Sequence, residues 1–117
     1  MIPEQEWEQL LAIKTSGRDD SRSDGEHHPY EATDYCVLER LANSGYIRKK
    51  HTLIDYGSGK GRVGIFMAYQ TGCRSIGIEY DERLYLKALK NAESPAARNR
   101  VSFVLGDAAP YELPDAA

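Results

Sequence analysis

The amino-acid sequence predicts an α/β fold in which helices flank a parallel β-sheet. Three short segments rich in β-branched and apolar residues, 51–56, 74–80 and 100–108, have the composition of buried strands. Two segments with helical character, 61–72 and 81–94, separate them. Strands and helices that alternate at this spacing are typical of right-handed crossover units. Such units form parallel sheets and bind ligands at the carboxyl ends of their strands.

The chain before these units divides into two parts. Residues 1–14 are predicted to contain a short helix with Pro3 in its first turn, and we expect its apolar stripe to dock on the domain. Residues 15–29 carry no aliphatic side chain and are predicted to form a polar linker. Residues 30–117 then form the domain. The stripe of the first helix consists of Trp7, Leu10 and Leu11.

Helix start and stop signals define the remaining helices. Thr33 or Asp34 is predicted to cap a helix that Gly45 ends. Gly72 ends the next helix, and Asp81 caps the last. Pro95 closes that last helix. The buried stripe predicted for the helix before Gly45 is Val37, Leu38 and Leu41.

Composition and charge restrict the class of protein. A chain of 117 residues corresponds to one domain, and its net charge of -3 indicates no nucleic-acid partner through bulk electrostatics. The acidic, polar N-terminus is unlike a signal peptide, and no apolar run approaches about 18 residues. Cys36 and Cys73 lie too far apart for a metal-ligand motif. We therefore expect a soluble, cytoplasmic protein with reduced cysteines and no membrane partner.

Several charged residues are predicted to be solvated. The run "IRKKH", 47–51, places three cations in the turn before a strand. Lys60 and Arg62 are expected to face solvent at the start of a helix. His27 and His28 lie in the polar segment with no third ligand at useful spacing, so no metal site is predicted.

The segment "LIDYGSGKGRVG", 53–64, raises the question of which ligand approaches its backbone. A Walker A loop is excluded, because Arg62 occupies the position that requires Ser or Thr. A dinucleotide loop fits Gly59, Gly61 and Gly64, with Glu79 as the acid at the end of the next strand. That pattern alone is a weak signal. Its first glycine, Gly59, comes four residues after Asp55, whereas dinucleotide loops usually have the first glycine directly after the strand.

A second register of the same glycines begins earlier. Asp55 ends the strand, and Gly57, Gly59 and Gly61 follow at alternate positions. This arrangement resembles motif I of the class I S-adenosylmethionine-dependent methyltransferases. The resemblance implies that Asp55 accepts a hydrogen bond from the ammonium group of the ligand. It also implies that loop N–H groups and the helix N-terminus face the ligand's carboxylate.

The ends of the other strands carry matching signals. The resemblance implies that Glu79 takes both ribose hydroxyls, that Tyr80 flanks the adenine, and that Asp107 in "GDA" accepts from the adenine amine. The segment "PYEATDY", 29–35, resembles the segment that covers the methionine end. The residues implied for the S-adenosylmethionine site are Tyr30, Glu31, Thr33, Asp55, Tyr56, Gly57, Ser58, Gly59, Gly61, Glu79, Tyr80, Gly106, Asp107 and Ala108.

The family fold is a seven-stranded Rossmann-like sheet, of which this chain supplies the first three strands in the order 3-2-1. The first strand then forms an open edge, and a homodimer through that edge is one consequence. We expect a fragment of a methyltransferase, with the methyl acceptor unknown and no catalytic residue assigned. An NAD(P)-binding Rossmann domain and a non-catalytic S-adenosylmethionine-binding module are the alternatives.

Overall fold

The computed structural model describes residues 2–19 and 30–106, which adopt an α/β architecture. In chain order, its elements are α1 (Glu4–Leu11), β1 (Arg18–Asp19), β2 (Tyr30–Glu31), α2 (Tyr35–Asn43), β3 (Thr52–Tyr56), α3 (Arg62–Thr71), β4 (Arg74–Glu79), α4 (Glu82–Asn91), a 3-10 helix (Pro95–Ala97) and β5 (Val101–Leu105). No helix within the described ranges is long and apolar enough to cross a membrane.

The main sheet is parallel, with the strand order β3-β4-β5. Asp55 lies opposite Gly77, and Gly77 lies opposite Phe103, so the three strands run in register. This confirms the predicted fold class and the predicted order of the first three strands. Between the described strands, β3 pairs only with β4, so its other side is an open edge.

Helix α3 packs against the sheet and against the 3-10 helix, and its buried residues form the centre of the core. Phe66 is fully buried there. Gly64 makes the close approach possible, because a Cβ at that position would lie 2.4 Å from Ser75 Oγ. The sequence predicted this helix, including its end at Gly72, which adopts a left-handed conformation with φ of 77°.

Helix α1 docks on this core through an aromatic cluster. The rings of Trp7 and Phe66 meet edge to face with centroids 5.0 Å apart, and Trp7 stacks on Tyr35 at 5.7 Å. Aromatic pairs of this kind add about 0.5–1.5 kcal/mol each beyond the burial of their surface. The predicted docking of the N-terminal helix is therefore confirmed for Trp7 and Leu11, whereas Leu10 of the predicted stripe is exposed.

The buried face of α2 differs from the predicted one. Val37 and Leu41 are 49% and 36% exposed, whereas Tyr35 and Leu38 are buried. The apolar stripe runs through Tyr35 because its ring has Trp7 and Phe66 as neighbours from distant parts of the chain. Asp34 is the N-cap residue as predicted, although its side chain makes no capping hydrogen bond.

Residues 15–19 also differ from the polar linker predicted to begin at residue 15. Thr15 is fully buried, and Arg18–Asp19 pairs in antiparallel fashion with Tyr30–Glu31. Strands of two residues have no recognisable alternation, so the sequence did not indicate them. The rest of the predicted linker, including His27 and His28, lies outside the described residues.

Candidate functional site

A glycine-rich loop connects β3 to α3 at the carboxyl end of the sheet. Gly57, Gly59 and Gly61 have φ values of 72°, 58° and 93°, a region that side chains other than glycine rarely adopt. A Cβ at Gly61 would lie 2.6 Å from a ring carbon of Phe103, whereas one at Gly57 would meet no atom within 4 Å. Gly61 thus serves packing, and Gly57 presents a bare backbone to open space.

The N–H groups of this loop are used inside the protein. Gly57 N and Ser58 N donate to the carbonyl of Ile78 at 2.8 and 3.2 Å, and Gly61 N donates to Ser58 O at 3.0 Å. Gly59 N donates to Glu79 Oε1 at 2.7 Å. These four N–H groups therefore already have acceptors within the protein, and the implied role of loop N–H groups as donors to a ligand carboxylate stays a prediction. The hydrogen bonds to Ile78 and Glu79 join the loop to the end of β4.

Glu79 is the residue that fixes this geometry. It is 4% exposed, and its second oxygen, Oε2, accepts a hydrogen bond from Asp81 N at 2.9 Å. A carboxylate has about four acceptor positions, so two backbone donors leave capacity for two more hydrogen bonds. Glu79 therefore stabilises the loop and can still accept from a ligand.

Asp55 lies beside Glu79 at the end of β3. Burial, and then the neighbouring charge of Glu79, raises the pKa of Asp55 from 3.8 to about 6. No hydrogen bond or ion pair joins the Asp55 carboxylate to another residue in the described part of the chain. Two adjacent carboxylates, one without a partner, repel each other and favour a cation between or in front of them.

Other predicted site residues surround this pair. Tyr56 is half-exposed, and Tyr80 is partly buried. Ser58 Oγ is buried with no hydrogen-bond partner among the described residues. Gly77 makes room for it, because a Cβ at Gly77 would lie 2.6 Å from Ser58 Oγ and equally close to Phe103. Glu31 and Thr33 are exposed on the segment before α2.

The adenine end of the predicted site is only partly described. Gly106 N donates to the carbonyl of Glu79 at 2.9 Å. A Cβ at Gly106 would meet no atom within 4 Å. Asp107 and Ala108 lie outside the described residues, and for Tyr30 only the backbone pairing with Asp19 is described. The roles implied for these residues stay predictions. Within the described ranges, no group of three or more His, Cys, Asp or Glu residues is placed to hold a metal ion.

Arg62 and Lys60 are not solvent-facing, contrary to the prediction. Arg62 is 2% exposed, and its Nε donates to Thr15 Oγ1 at 2.7 Å. Its Nη1 donates to Glu4 Oε1 at 3.1 Å and to the carbonyl of Thr33 at 3.0 Å. Lys60 is also buried, and its Nζ donates to Ser16 O at 3.2 Å. The segment after α1 therefore covers the start of α3.

Glu8 completes the buried cluster around Arg62. Its Oε2 lies 3.8 Å from an Arg62 nitrogen, and its carboxylate accepts from Thr15 Oγ1 at 2.8 Å and from the Tyr35 hydroxyl. Burial, and then the hydrogen bond to Glu8, raises the pKa of Tyr35. The Arg62 guanidinium stacks over the Tyr35 ring at 4.2 Å. This cluster fixes the N-terminal segment to the helix that begins at the glycine loop.

The fold has counterparts among solved structures. An RNA methyltransferase from Salinibacter ruber in complex with S-adenosyl-L-homocysteine is 34% identical, with a TM-score of 0.67, over 73% of this chain and 56% of that chain. S-adenosylmethionine-dependent methyltransferases from Thiobacillus denitrificans and Geobacter sulfurreducens, each in complex with S-adenosyl-L-homocysteine, are 28% identical with TM-scores of 0.60. They match over 67% of this chain and 31% of their own. Comparisons with protein-family models and with curated proteins give no match.

These likenesses define a class of protein. The three-stranded parallel sheet and its flanking helices match the Rossmann-like methyltransferase fold. The chain belongs to the class I S-adenosylmethionine-dependent methyltransferase family. It spans about half or less of the length of the solved structures that it matches.

Proposed function

We propose that this chain is the S-adenosylmethionine-binding part of a methyltransferase that transfers a methyl group to an acceptor not yet identified. The observation that carries the proposal is the Asp55 carboxylate, which is partly buried, has no partner among the described residues and lies beside Glu79. A cationic ligand relieves both the burial of charge and the repulsion between the two acids. A diphosphate would increase that repulsion, so an NAD(P) ligand is not favoured.

The residues present fit S-adenosylmethionine, which supplies a methyl group on a positively charged sulfur when it is bound. Asp55 would accept from the ammonium group, and Glu79 would use its remaining acceptor positions for the ribose hydroxyls. Gly57 would let the ligand contact bare backbone. Neighbouring residues proposed to complete the site are Tyr30, Glu31, Thr33, Tyr56, Ser58, Gly59, Gly61, Tyr80, Gly106, Asp107 and Ala108.

The contribution of this chain to methyl transfer is orientation. The rigid loop and the two acids hold the ligand in one position, which lowers the entropic cost of bringing methyl group and acceptor into line. No residue of this chain is assigned as a base for deprotonating an acceptor. A cytoplasmic location is proposed together with this activity, because Cys36 and Cys73 are both free thiols.

The Glu79→Gln variant should bind S-adenosylhomocysteine at least about tenfold more weakly in isothermal titration calorimetry. Hydrogen bonds to a charged acceptor contribute about 1.5–3 kcal/mol, which corresponds to roughly 10-fold to 150-fold in affinity. Glu93→Gln removes the same charge from an exposed position and is the matched control. Unchanged affinity of a folded Glu79→Gln protein would remove Glu79 from the site. Binding of NADH but not of S-adenosylhomocysteine by the unchanged protein would contradict the proposed function.

We propose that the open edge of β3 mediates a homodimer. Unpaired N–H and C=O groups along an edge strand are a template for pairing with another chain. Sedimentation equilibrium should show a concentration-dependent dimer, and Thr52→Lys on β3 should shift it to monomer by charge repulsion. Ser102→Lys on β5, at the opposite edge of the described sheet, should leave the dimer intact. Dissociation by Ser102→Lys alone would assign the interface to β5 instead.

A further inference from the structure

Six cations lie at the amino ends of the three parallel strands, at the edge opposite Asp55. We call this set the amino-end patch. Its side chains are exposed, except for Arg100, which is partly buried. The segments 45–51, 72–75 and 97–101 that contain these cations have no Asp or Glu. The patch consists of Arg48, Lys49, Lys50, Arg74, Arg98 and Arg100.

Backbone hydrogen bonds hold the parts of the patch side by side. Arg74 N donates to the carbonyl of His51 at 3.1 Å, which joins the starts of β3 and β4. Ser75 N donates to the carbonyl of Arg100 at 2.8 Å, which joins the starts of β4 and β5. Neighbouring strands are about 4.8 Å apart, so the three starts span about 10 Å. A span of this length lets the patch contact more than one phosphate of a nucleic-acid strand.

Within residues 2–19 and 30–106, no neighbour neutralises the charges of the patch. Between described residues, the ion pairs involve Arg62 and Arg83, and none involves a cation of the patch. Cations without a carboxylate partner gather solvent anions, and a polyanion that displaces them gains affinity from their release. The patch is therefore a local basic surface on a protein whose net charge is -3.

An exposed aromatic ring adjoins the patch. Tyr46 is 80% exposed and lies two residues before Arg48. A solvent-exposed ring next to a line of cations is the combination that binds single-stranded nucleic acids, because each base has a face that can stack. The guanidinium of Arg98 also lies over the Tyr69 ring at 5.5 Å, which restricts where that charge can be.

We propose that the amino-end patch binds single-stranded nucleic acid, with phosphates on the cations and a base stacked on Tyr46. An acidic protein would also bind the cations, but unlike a nucleic acid it has no base in each repeating unit that could stack on Tyr46. The patch lies at the end of the sheet opposite Asp55 and Glu79. It therefore anchors the nucleic acid and contributes no reacting group. This inference goes beyond the proposed methyltransferase function and does not depend on it.

Fluorescence anisotropy with a labelled single-stranded RNA of about twelve nucleotides tests the proposal. Lys50→Gln combined with Arg74→Gln should weaken binding at least about tenfold and reduce the slope of log affinity against log salt by about 1.4, since each phosphate contact contributes about 0.7. Lys87→Gln combined with Lys90→Gln removes the same charge from exposed positions on α4 and should leave both quantities unchanged. Equal losses in the two double variants, or no RNA binding by the unchanged protein, would overturn the proposal.

Two further measurements separate the patch from other causes. Tyr46→Ala should weaken RNA binding roughly fivefold or more, as expected for the loss of one stacked base. Affinity for S-adenosylhomocysteine and the midpoint of thermal unfolding should not change in any of these variants. Vesicles of anionic lipid that bind through the patch while RNA does not would assign the surface to a membrane and contradict the proposal.

Discussion

The Asp55→Asn variant should be more stable than the unchanged protein at pH 8, by about 3 kcal/mol. The pKa of Asp55 is raised from 3.8 to about 6, so the folded state binds this proton more tightly than the unfolded state does. At pH 8 the carboxylate is ionised in both states, and its burial beside Glu79 costs the folded state a free energy of that size. Asparagine removes the charge and with it the cost.

The stability gained by Asp55→Asn should depend on pH, because the cost of burying Asp55 exists only when its carboxylate is ionised. The penalty is absent well below pH 3.8, grows between pH 3.8 and 6, and is complete above pH 6. Urea unfolding should therefore show the stability difference between the two proteins shrinking from about 3 kcal/mol at pH 8 to about 1 kcal/mol at pH 4.5. Glu93→Gln, the exposed control, should show little difference at either pH. A difference that is independent of pH would mean that Asp55 is not destabilised by burial.

The same variant should lose ligand binding. If the Asp55 carboxylate accepts from the ammonium of S-adenosylhomocysteine, Asp55→Asn should weaken binding at pH 8 by at least about tenfold, since a hydrogen bond between charged groups is lost. The unchanged protein should bind more weakly as the pH falls from 7 to 5, because the carboxylate becomes protonated. A variant that is more stable and also binds normally would show that Asp55 does not contact the ligand.

The features that the sequence predicted depend on local patterns. Gly72 ends α3, and Asp81 caps α4 by accepting a hydrogen bond from Arg83 N at 2.9 Å. Both could be predicted because a helix start or stop signal acts on residues within a few positions of it in the sequence. The parallel order of the strands follows from the crossover rule, which needs only the alternation of strands and helices. The positions of Asp55 and Glu79 at one edge of the sheet follow from the same rule.

The features that the sequence did not predict depend on contacts between distant residues. Arg62 meets Thr15 and Glu4, which are 47 and 58 residues away along the chain. Nothing near a charged residue at a helix start indicates that another helix will cover it. One signal was available in retrospect, since Glu4 and Glu8 lie one helical turn apart and present two carboxylates on one face of α1.

The Arg62→Met variant should lose about 3–5 kcal/mol of stability in urea unfolding. Arg62 lies in the first turn of α3, where the helix dipole disfavours a cation, so its burial depends on the acids that face it. Removal of the guanidinium leaves the partly buried Glu8 carboxylate without its cation, and a charge that is kept from solvent without its counter-ion is the costly outcome. Arg83→Met, which removes a half-exposed cation on α4, should cost less than about 1 kcal/mol.

A second substitution separates loss of charge balance from loss of packing. Arg62→Met combined with Glu8→Gln should recover part of the lost stability, because no unpaired charge is then buried, and the double-mutant cycle should give a coupling energy above about 1 kcal/mol. No recovery would mean that Arg62 acts mainly through its stacking on Tyr35 and its hydrogen bonds to Thr15 and Thr33. In either case the N-terminal segment is part of the folded domain, since it supplies three of the groups that hold the first residue after the glycine loop. Variants of this cluster should therefore weaken S-adenosylhomocysteine binding through the position of the loop while they leave Asp55 and Glu79 unchanged.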